Sequence, residues 1–396
     1  MIVRQFLQWV RSAPAGERAE ATSALARAYL YSDLSEDDRA AAEGAMLMLL
    51  DDASPLVRRA LAEALAASDK APPAVVHSLA ADQIPIAAIV IGRSPLFLDS
   101  DLLELIATAP PALVEAIATR PTLPRAVSAA LAEVGSAMTC LILLENAGAE
   151  IAPQSFERIA ERHGDYPLIR GVLLGRGDLP AATRQALVAR LSSTLVDFIT
   201  ARDWLAEERA RKVMREACEK ATIAVAAGAP PSGIRPLIQH LRQTNQLTAG
   251  LLLRALLSGN LPLFEEALSE LSGLAPSRVA GIVHDRRGGG FRALYDKAGL
   301  PASTHNAFRI AVETLREDGM QLEPGGTSRL RRRMVERVLT GCAETLDDVK
   351  PLLTLLRRFA AEAAREEARL FCDELAAGDY LSDGSSATDE PQRAAA

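Results

Sequence analysis

Two arginine-rich segments hold the residues best suited to bind an anion. The first reads Arg286-Arg287-Gly288-Gly289-Gly290-Phe291-Arg292. Consecutive glycines leave backbone N–H groups accessible, and the N-terminal end of the next helix would attract an anion beside Arg286, Arg287 and Arg292. The segment follows a predicted helix rather than a strand, however, and matches neither a Walker nor a dinucleotide-binding motif. A flexible loop between helices is therefore the simpler interpretation.

The second segment is the run Arg329-Leu330-Arg331-Arg332-Arg333, the densest positive charge in the chain. Its chemistry suits a phosphate, a cyclic dinucleotide or the acidic surface of a protein partner. On a helix, consecutive side chains point in different directions around the axis. We therefore expect some of Arg331, Arg332 and Arg333 to be solvated or paired with Glu336.

The cysteines and histidines form no recognisable catalytic or metal-binding pattern. Cys140, Cys218, Cys342 and Cys372 are far apart, without a histidine at zinc-finger spacing. Such cysteines are typical of reduced, buried thiols in a cytosolic protein. His77, His240 and His305 have no carboxylate or cysteine at ligand spacing, and His163 and His284 are predicted to lie at helix ends, where a cation suits the helix dipole. We predict no cofactor, no metal and no enzymatic activity, although distant residues can converge in a fold.

The elements that position these residues are predicted to be helices. Hydrophobic residues make up 49% of the chain but aromatic residues only 4%, and the apolar mass is mostly Ala and Leu. Both residues favour helices, whereas the β-branched and aromatic residues that a sheet requires never form alternating runs. The predicted fold class is all-α.

The charge balance and the length of the apolar segments restrict the partners. The chain has 44 Lys and Arg against 51 Asp and Glu, a net charge of −7. This balance disfavours nonspecific nucleic-acid binding, which depends on neutralising phosphates. The longest apolar stretch, Ile84 to Ile91, contains Pro85 and is far shorter than the roughly 20 residues of a membrane-spanning helix. We therefore predict a soluble, cytoplasmic protein.

Short helices separated by turns recur through residues 1–191 at intervals of roughly 22 to 30 residues, which is typical of repeat proteins. Helices this short are marginal alone and become stable by packing on neighbouring hairpins. Residues 1–191 are therefore predicted to form an irregular α-solenoid. The predicted turns are Asp51-Asp52-Ala53-Ser54, Ala71-Pro72-Pro73, Asp99-Ser100-Asp101, Arg120-Pro121-Thr122-Leu123-Pro124, Ile151-Ala152-Pro153 and Arg176-Gly177-Asp178-Leu179-Pro180.

Three of these turns resemble known helical repeats. Asp52-Ala53-Ser54-Pro55-Leu56-Val57-Arg58 resembles the turn within HEAT-type repeats, where an Asp, an apolar residue and an Arg hold two antiparallel helices together. The Arg-Pro-x-Leu-Pro and Arg-Gly-Asp-Leu-Pro turns resemble those of the helical leucine-rich-repeat variants. Both resemblances imply stacked helical hairpins.

The pattern changes after residue 191. Residues 192–229 are predicted to form a connecting segment, because 195–227 contain no Pro or Gly and mix opposite charges on one long amphipathic helix. Residues 230–322 are predicted to form a C-terminal helical domain and 327–376 a closing helical pair. Residues 377–396, poor in apolar side chains, are predicted to be a disordered tail.

Most of the chain is similar to a known family, and the sharpest motifs lie between Gly250 and Phe308. The segments Gly250-Leu251-Leu252-Leu253-Arg254-Ala255-Leu256-Leu257 and Ala293-Leu294-Tyr295-Asp296-Lys297-Ala298-Gly299-Leu300-Pro301 resemble a family catalogued as domain of unknown function 2336, found mostly in alphaproteobacteria. The resemblance implies an intracellular helical protein of uncharacterised role. It supplies no catalytic residues.

Three functional hypotheses remain open at this stage. The sequence favours a non-catalytic scaffold that binds a protein partner on its solenoid. The alternative is a regulator that senses an anionic ligand, such as a nucleotide or second messenger, through Arg286, Arg287 and Arg331 to Arg333. A weaker alternative is a nucleic-acid-acting enzyme on a helical-repeat frame, which would need a basic groove holding a carboxylate.

Overall fold

The computed structural model describes residues 9–10, 12–285, 289–318, 326–342, 356–362, 364–365, 368–369 and 372. Within these residues the fold is all-α, as predicted, and contains no β-strand. Helix contacts divide the chain into two compact units, residues 1–183 and 184–396. The predicted tail 377–396, and most of the second helix of the predicted closing pair, lie outside the described residues.

The first unit contains α1 Ala15–Tyr31, α2 Glu36–Leu49, α3 Pro55–Leu65, α4 Pro73–Ala80, α5 Ile84–Arg93, α6 Asp99–Thr108, α7 Pro111–Ala118, α8 Arg125–Val134, α9 Ala137–Glu145, α10 Pro153–His163 and α11 Pro167–Gly175. The chain continues with α12 Ala181–Thr200, α13 Glu207–Ala227, α14 Pro231–Gln243, α15 Ala249–Leu257, α16 Leu261–Ser272, α17 Pro276–His284, α18 Phe291–Lys297, α19 His305–Asp318 and α20 Gly326–Cys342.

The helices of the first unit pack in two layers. The odd-numbered helices α1 to α11 form one row, in which each contacts the next. The even-numbered helices pack beside them, with direct contacts from α2 to α4 and from α6 through α8 to α10. Neighbouring hairpins therefore pack in a solenoid-like manner, because each short helix buries its apolar face against the next pair.

Ion pairs connect the N-terminal ends of three successive odd-numbered helices. Arg18 of α1 donates hydrogen bonds of 2.9 and 2.8 Å to Asp52, which precedes α3. Arg58 of α3 donates bonds of 2.6 and 3.0 Å to Asp82, which precedes α5, and another to the Asp52 carbonyl. The HEAT resemblance implies that Asp52 and Arg58 join the helices of one hairpin. Arg58 does contact Asp52 within the hairpin, through the Asp52 carbonyl, and the two charged groups also bind the adjacent hairpins, which keeps α1, α3 and α5 parallel and in register.

Hydrogen bonds to backbone carbonyls connect the C-terminal ends of successive helices. A polar side chain near one helix end donates to the carbonyls at the end of the preceding helix in the same row. These bonds show that the row remains parallel as far as α11. They run from Arg120 to Ile91 and Ser94, from Asn146 to Ala118 and Arg120, from Arg162 to Ala132 and Gly135, and from Arg176 to Leu144.

Acid should weaken the first unit through Asp82. Hydrogen bonds from Arg58 hold the pKa of Asp82 below its usual value. Because the folded pKa lies below the unfolded value of about 3.9, the ion pair stabilises the unit above about pH 4, and this contribution is lost as the pH falls further. We expect Asp82→Asn to lower the free energy of unfolding at pH 7 and to flatten its decline below pH 5. Urea denaturation at several pH values measures both effects; parallel curves for the two proteins would contradict this role.

The structure corrects the prediction of one long helix over residues 195–227. Helix α12 ends at Thr200 and α13 begins at Glu207. Asp203 adopts a left-handed conformation with φ 55°, and the N–H groups of Asp203 and Trp204 donate to the carbonyls of Thr200 and Ile199. This is a Schellman motif, which usually contains glycine at the left-handed position. The break could not be predicted from the sequence, because aspartate occupies this position in place of glycine.

Helix α15 lies at the centre of the second unit. It contacts α13, α16, α19 and α20, and residues 251–257 are all buried. Its start is capped by Thr248, whose hydroxyl accepts a hydrogen bond from the Leu251 N–H, and its end by Gly259 at φ 73°. Seven consecutive buried positions are unusual for a helix in a soluble protein, which normally leaves one face in water. These four helices therefore bury α15 on most sides.

Candidate functional site

The structure describes four of the six arginines predicted to bind an anion or a partner. Arg286 and Arg287 lie outside the described residues. Arg292 forms an exposed ion pair with Asp296 within α18 (2.9 Å), and Arg332 forms another with Glu336 (2.8 Å), as expected from their spacing. Arg333 is exposed on α20. Arg331 lines a cavity.

This cavity, here called the Arg331 cavity, has a volume of about 340 Å³ and lies within the second unit. Most of its wall is apolar, and the polar lining side chains besides Arg331 are Ser258 and Asn260. No acidic residue is among the residues that line it. The apolar wall comprises Ile223, Ala226, Ala227, Ala229, Pro231, Ile234 and Pro262, with Gly259 beside the arginine.

A buried charge cluster surrounds Arg254 of α15, which the sequence analysis did not select. Its side chain is only 6% exposed and lies 3.8 Å from a Glu219 carboxylate oxygen and 3.3 Å from one of Glu362. The guanidinium also lies over the ring of Phe359, 4.1 Å from its centre. Burial lowers the pKa of Arg254 and raises that of Glu219. The cluster attaches residues 356–362 to α13 and α15. In the sequence, this charge cluster is indicated by a single arginine, Arg254, within the apolar run 250–257.

Cys140 is buried and Cys218 partly buried, and His163 and His284 each end a helix. Burial raises the pKa of Cys140 to about 11 and also raises that of Cys218, which makes both thiols poor nucleophiles at neutral pH. His163 ends α10, as predicted, and His284 bonds to Glu265 at 2.8 Å. No group of three or more His, Cys, Asp or Glu side chains suited to a metal ion occurs among the described residues.

Large apolar side chains are exposed at equivalent positions of several odd-numbered helices. Leu56, Met138 and Leu168 are the second residues of α3, α9 and α11, and Ile84 is the first residue of α5. Their exposed fractions are 58%, 54%, 71% and 42%, respectively. Because these helices run parallel and in register, the four side chains follow one edge of the unit, here called the apolar edge. At α7 the second residue is the smaller Ala112.

The unit that carries the apolar edge is also the acidic part of the protein. Residues 1–183 contain 15 Lys and Arg against 23 Asp and Glu, a net charge of −8. Residues 184–396 contain 29 Lys and Arg against 28 Asp and Glu, a net charge of +1. The net negative charge of the whole chain therefore comes from the first unit. The electrostatic field of this unit attracts cationic partners.

The fold and these surfaces define an all-α protein in which stacked helical hairpins are followed by a second helical unit. No helix among the described residues is long and apolar enough to cross a membrane. The chain belongs to the family described as an uncharacterised protein conserved in bacteria, DUF2336, whose model matches residues 86–347. This match confirms the resemblance noted for residues 250–257 and 293–301. No match was found among curated proteins.

Proposed function

We propose that this protein is a non-catalytic, cytoplasmic scaffold of HEAT-like repeats that binds a protein partner along the apolar edge. The observation that carries the proposal is the regular exposure of Leu56, Ile84, Met138 and Leu168 on parallel helices. Single exposed apolar residues are ordinary on a protein surface, whereas an aligned series is typical of an interaction surface.

The geometry and charge of the edge favour a partner segment that is both apolar and basic. Packed helices lie about 8–10 Å apart, and two turns of an α-helix advance about 10.5 Å. An amphipathic helix with an apolar residue at every seventh position therefore matches the spacing of the edge. Basic side chains on its flanks suit the net charge of −8 on residues 1–183.

The test compares affinity capture by the wild-type protein with capture by a Met138→Glu/Leu168→Glu variant, using lysate of the source bacterium. Introducing two carboxylates into a buried apolar contact should weaken binding about 10- to 100-fold. Leu98→Glu is the matched control, because Leu98 is 67% exposed but lies at the opposite edge, before α6. All three proteins should show the same helical content by circular dichroism.

The proposal requires a protein that is retained by the wild type and by Leu98→Glu but lost from the double variant. Capture of the same proteins by all three, or of none by the wild type, would show that the apolar edge is not a docking surface.

A further inference from the structure

We propose that the Arg331 cavity binds a small organic anion whose apolar body fills the cavity and whose carboxylate or phosphate contacts Arg331. This site lies in the second unit and is independent of the apolar edge. The proposal rests on three properties of the cavity: its size, the chemistry of its wall, and the position of its single lining cation.

The size of the cavity sets the size of the ligand. Its volume of about 340 Å³ is roughly twice that of the ~150 Å³ engineered cavity that accommodates benzene. A ligand with about a dozen non-hydrogen atoms therefore fits. Binding cavities for small molecules begin at about 300 Å³, so the volume of this one lies at the lower limit.

The wall of the cavity selects an apolar body over a polar one. Alanine, isoleucine and proline side chains from α13, α14 and the start of α16 form most of it. A sugar or a nucleobase would lose hydrogen bonds to water there without replacing them, at a cost for each unpaired polar group. An alkyl chain or a simple ring loses none, and burying it is favourable.

Arg331 supplies the charge that selects an anion. It is the only charged residue among those that line the cavity. Arg331 takes part in other interactions, and because a guanidinium carries five N–H donors it can contact an anion at the same time. Gly259 leaves space beside this group, since a Cβ added there would lie 3.8 Å from the Arg331 Nε and its φ of 73° favours glycine.

Titration calorimetry with straight-chain carboxylates from butanoate to dodecanoate tests the inference. We expect affinity to be greatest at about eight to ten carbons, because a longer chain no longer fits the cavity. The alcohol of the same length should bind about 10- to 100-fold more weakly, since it lacks the charge-assisted hydrogen bond.

Three variants of the full-length chain locate the site. Arg331→Gln should reduce carboxylate affinity about 10- to 100-fold and leave alcohol binding unchanged. Arg333→Gln, which removes an exposed cation from the same helix, is the matched control and should bind like the wild type. Ala227→Phe, which places a large side chain at the solvent-exposed edge of the cavity, should weaken binding of both ligand types.

Several results would overturn the inference. These are the absence of carboxylate binding at millimolar concentration, equal binding of carboxylate and alcohol, equal losses in Arg331→Gln and Arg333→Gln, or full binding by Ala227→Phe. None of these results affects the apolar edge, which belongs to the other unit.

Discussion

Replacing Arg254 with alanine is expected to lower the free energy of unfolding of the second unit by about 3–5 kcal/mol. The substitution leaves Glu219 in a mostly buried position without its nearest cation, 3.8 Å away in the wild type. It also removes the contact of the guanidinium with the ring of Phe359. A buried charge that loses its partner costs more than the pair contributes, because its desolvation is no longer compensated.

Guanidinium chloride denaturation measures the loss, and hydrogen exchange shows which unit it affects. Protection from hydrogen exchange should fall in α13 and α15 and remain unchanged in α1 to α11.

Adding Glu219→Gln to the Arg254→Ala variant should restore part of the stability, because it removes the carboxylate that has lost its partner. Arg209→Ala, at an exposed position of α13, should change stability by less than about 0.5 kcal/mol. A loss below about 1 kcal/mol in Arg254→Ala would show that the cluster is peripheral to stability.

The second large effect is expected at Gly148, between α9 and α10. A Cβ at this position would lie 1.8 Å from the Pro121 carbonyl oxygen. The loops must lie this close because Leu123 donates a hydrogen bond to the Gly148 carbonyl (3.0 Å) and accepts one from the Glu150 N–H (2.9 Å). Alanine would force the loops apart and break both bonds, each worth about 1 kcal/mol. With the added strain, we expect a loss of about 2–4 kcal/mol in the first unit.

Gly177→Ala provides the control for Gly148→Ala. Gly177 also lies in a loop of the repeat region, but a Cβ there meets nothing within 4 Å. Its replacement should be neutral or stabilising by up to about 1 kcal/mol, because alanine restricts the unfolded chain. The Leu123 and Glu150 amides should exchange faster in Gly148→Ala only. Unchanged protection of these amides would show that the loops accommodate the side chain.

The features of the fold that depend on local residues were predicted accurately from the sequence. The predicted turns Ala71-Pro72-Pro73 and Ile151-Ala152-Pro153 end at the first residues of α4 and α10, Pro73 and Pro153. Proline at the first position of α3, α4, α7, α10 and α11 marks where a helix can begin without losing a hydrogen bond. The break at Asp203 was not predicted. Its left-handed conformation depends on backbone hydrogen bonds, and an aspartate does not indicate that conformation as a glycine does.

The candidate sites were harder to predict than the helices. Arg331 and Arg332 are adjacent in the same arginine run, yet one lines a cavity and the other pairs with Glu336 on the surface. This difference depends on which face of α20 packs against its neighbours. The run of arginines does not indicate which face that is. The apolar edge could not be predicted either. Its four residues are one or two repeats apart in the sequence and become neighbours only when the hairpins stack.

The sequence by itself determined the all-α class and the stacking of short hairpins, because helix propensity, turn residues and the need to bury short apolar faces are local properties. The tertiary structure alone decided which charged groups from distant parts of the sequence form ion pairs. Arg18 and Asp52 are 34 residues apart, and Arg254 and Glu362 are 108 apart. Such pairs form only when packing brings distant segments together, so neither composition nor spacing could have identified them.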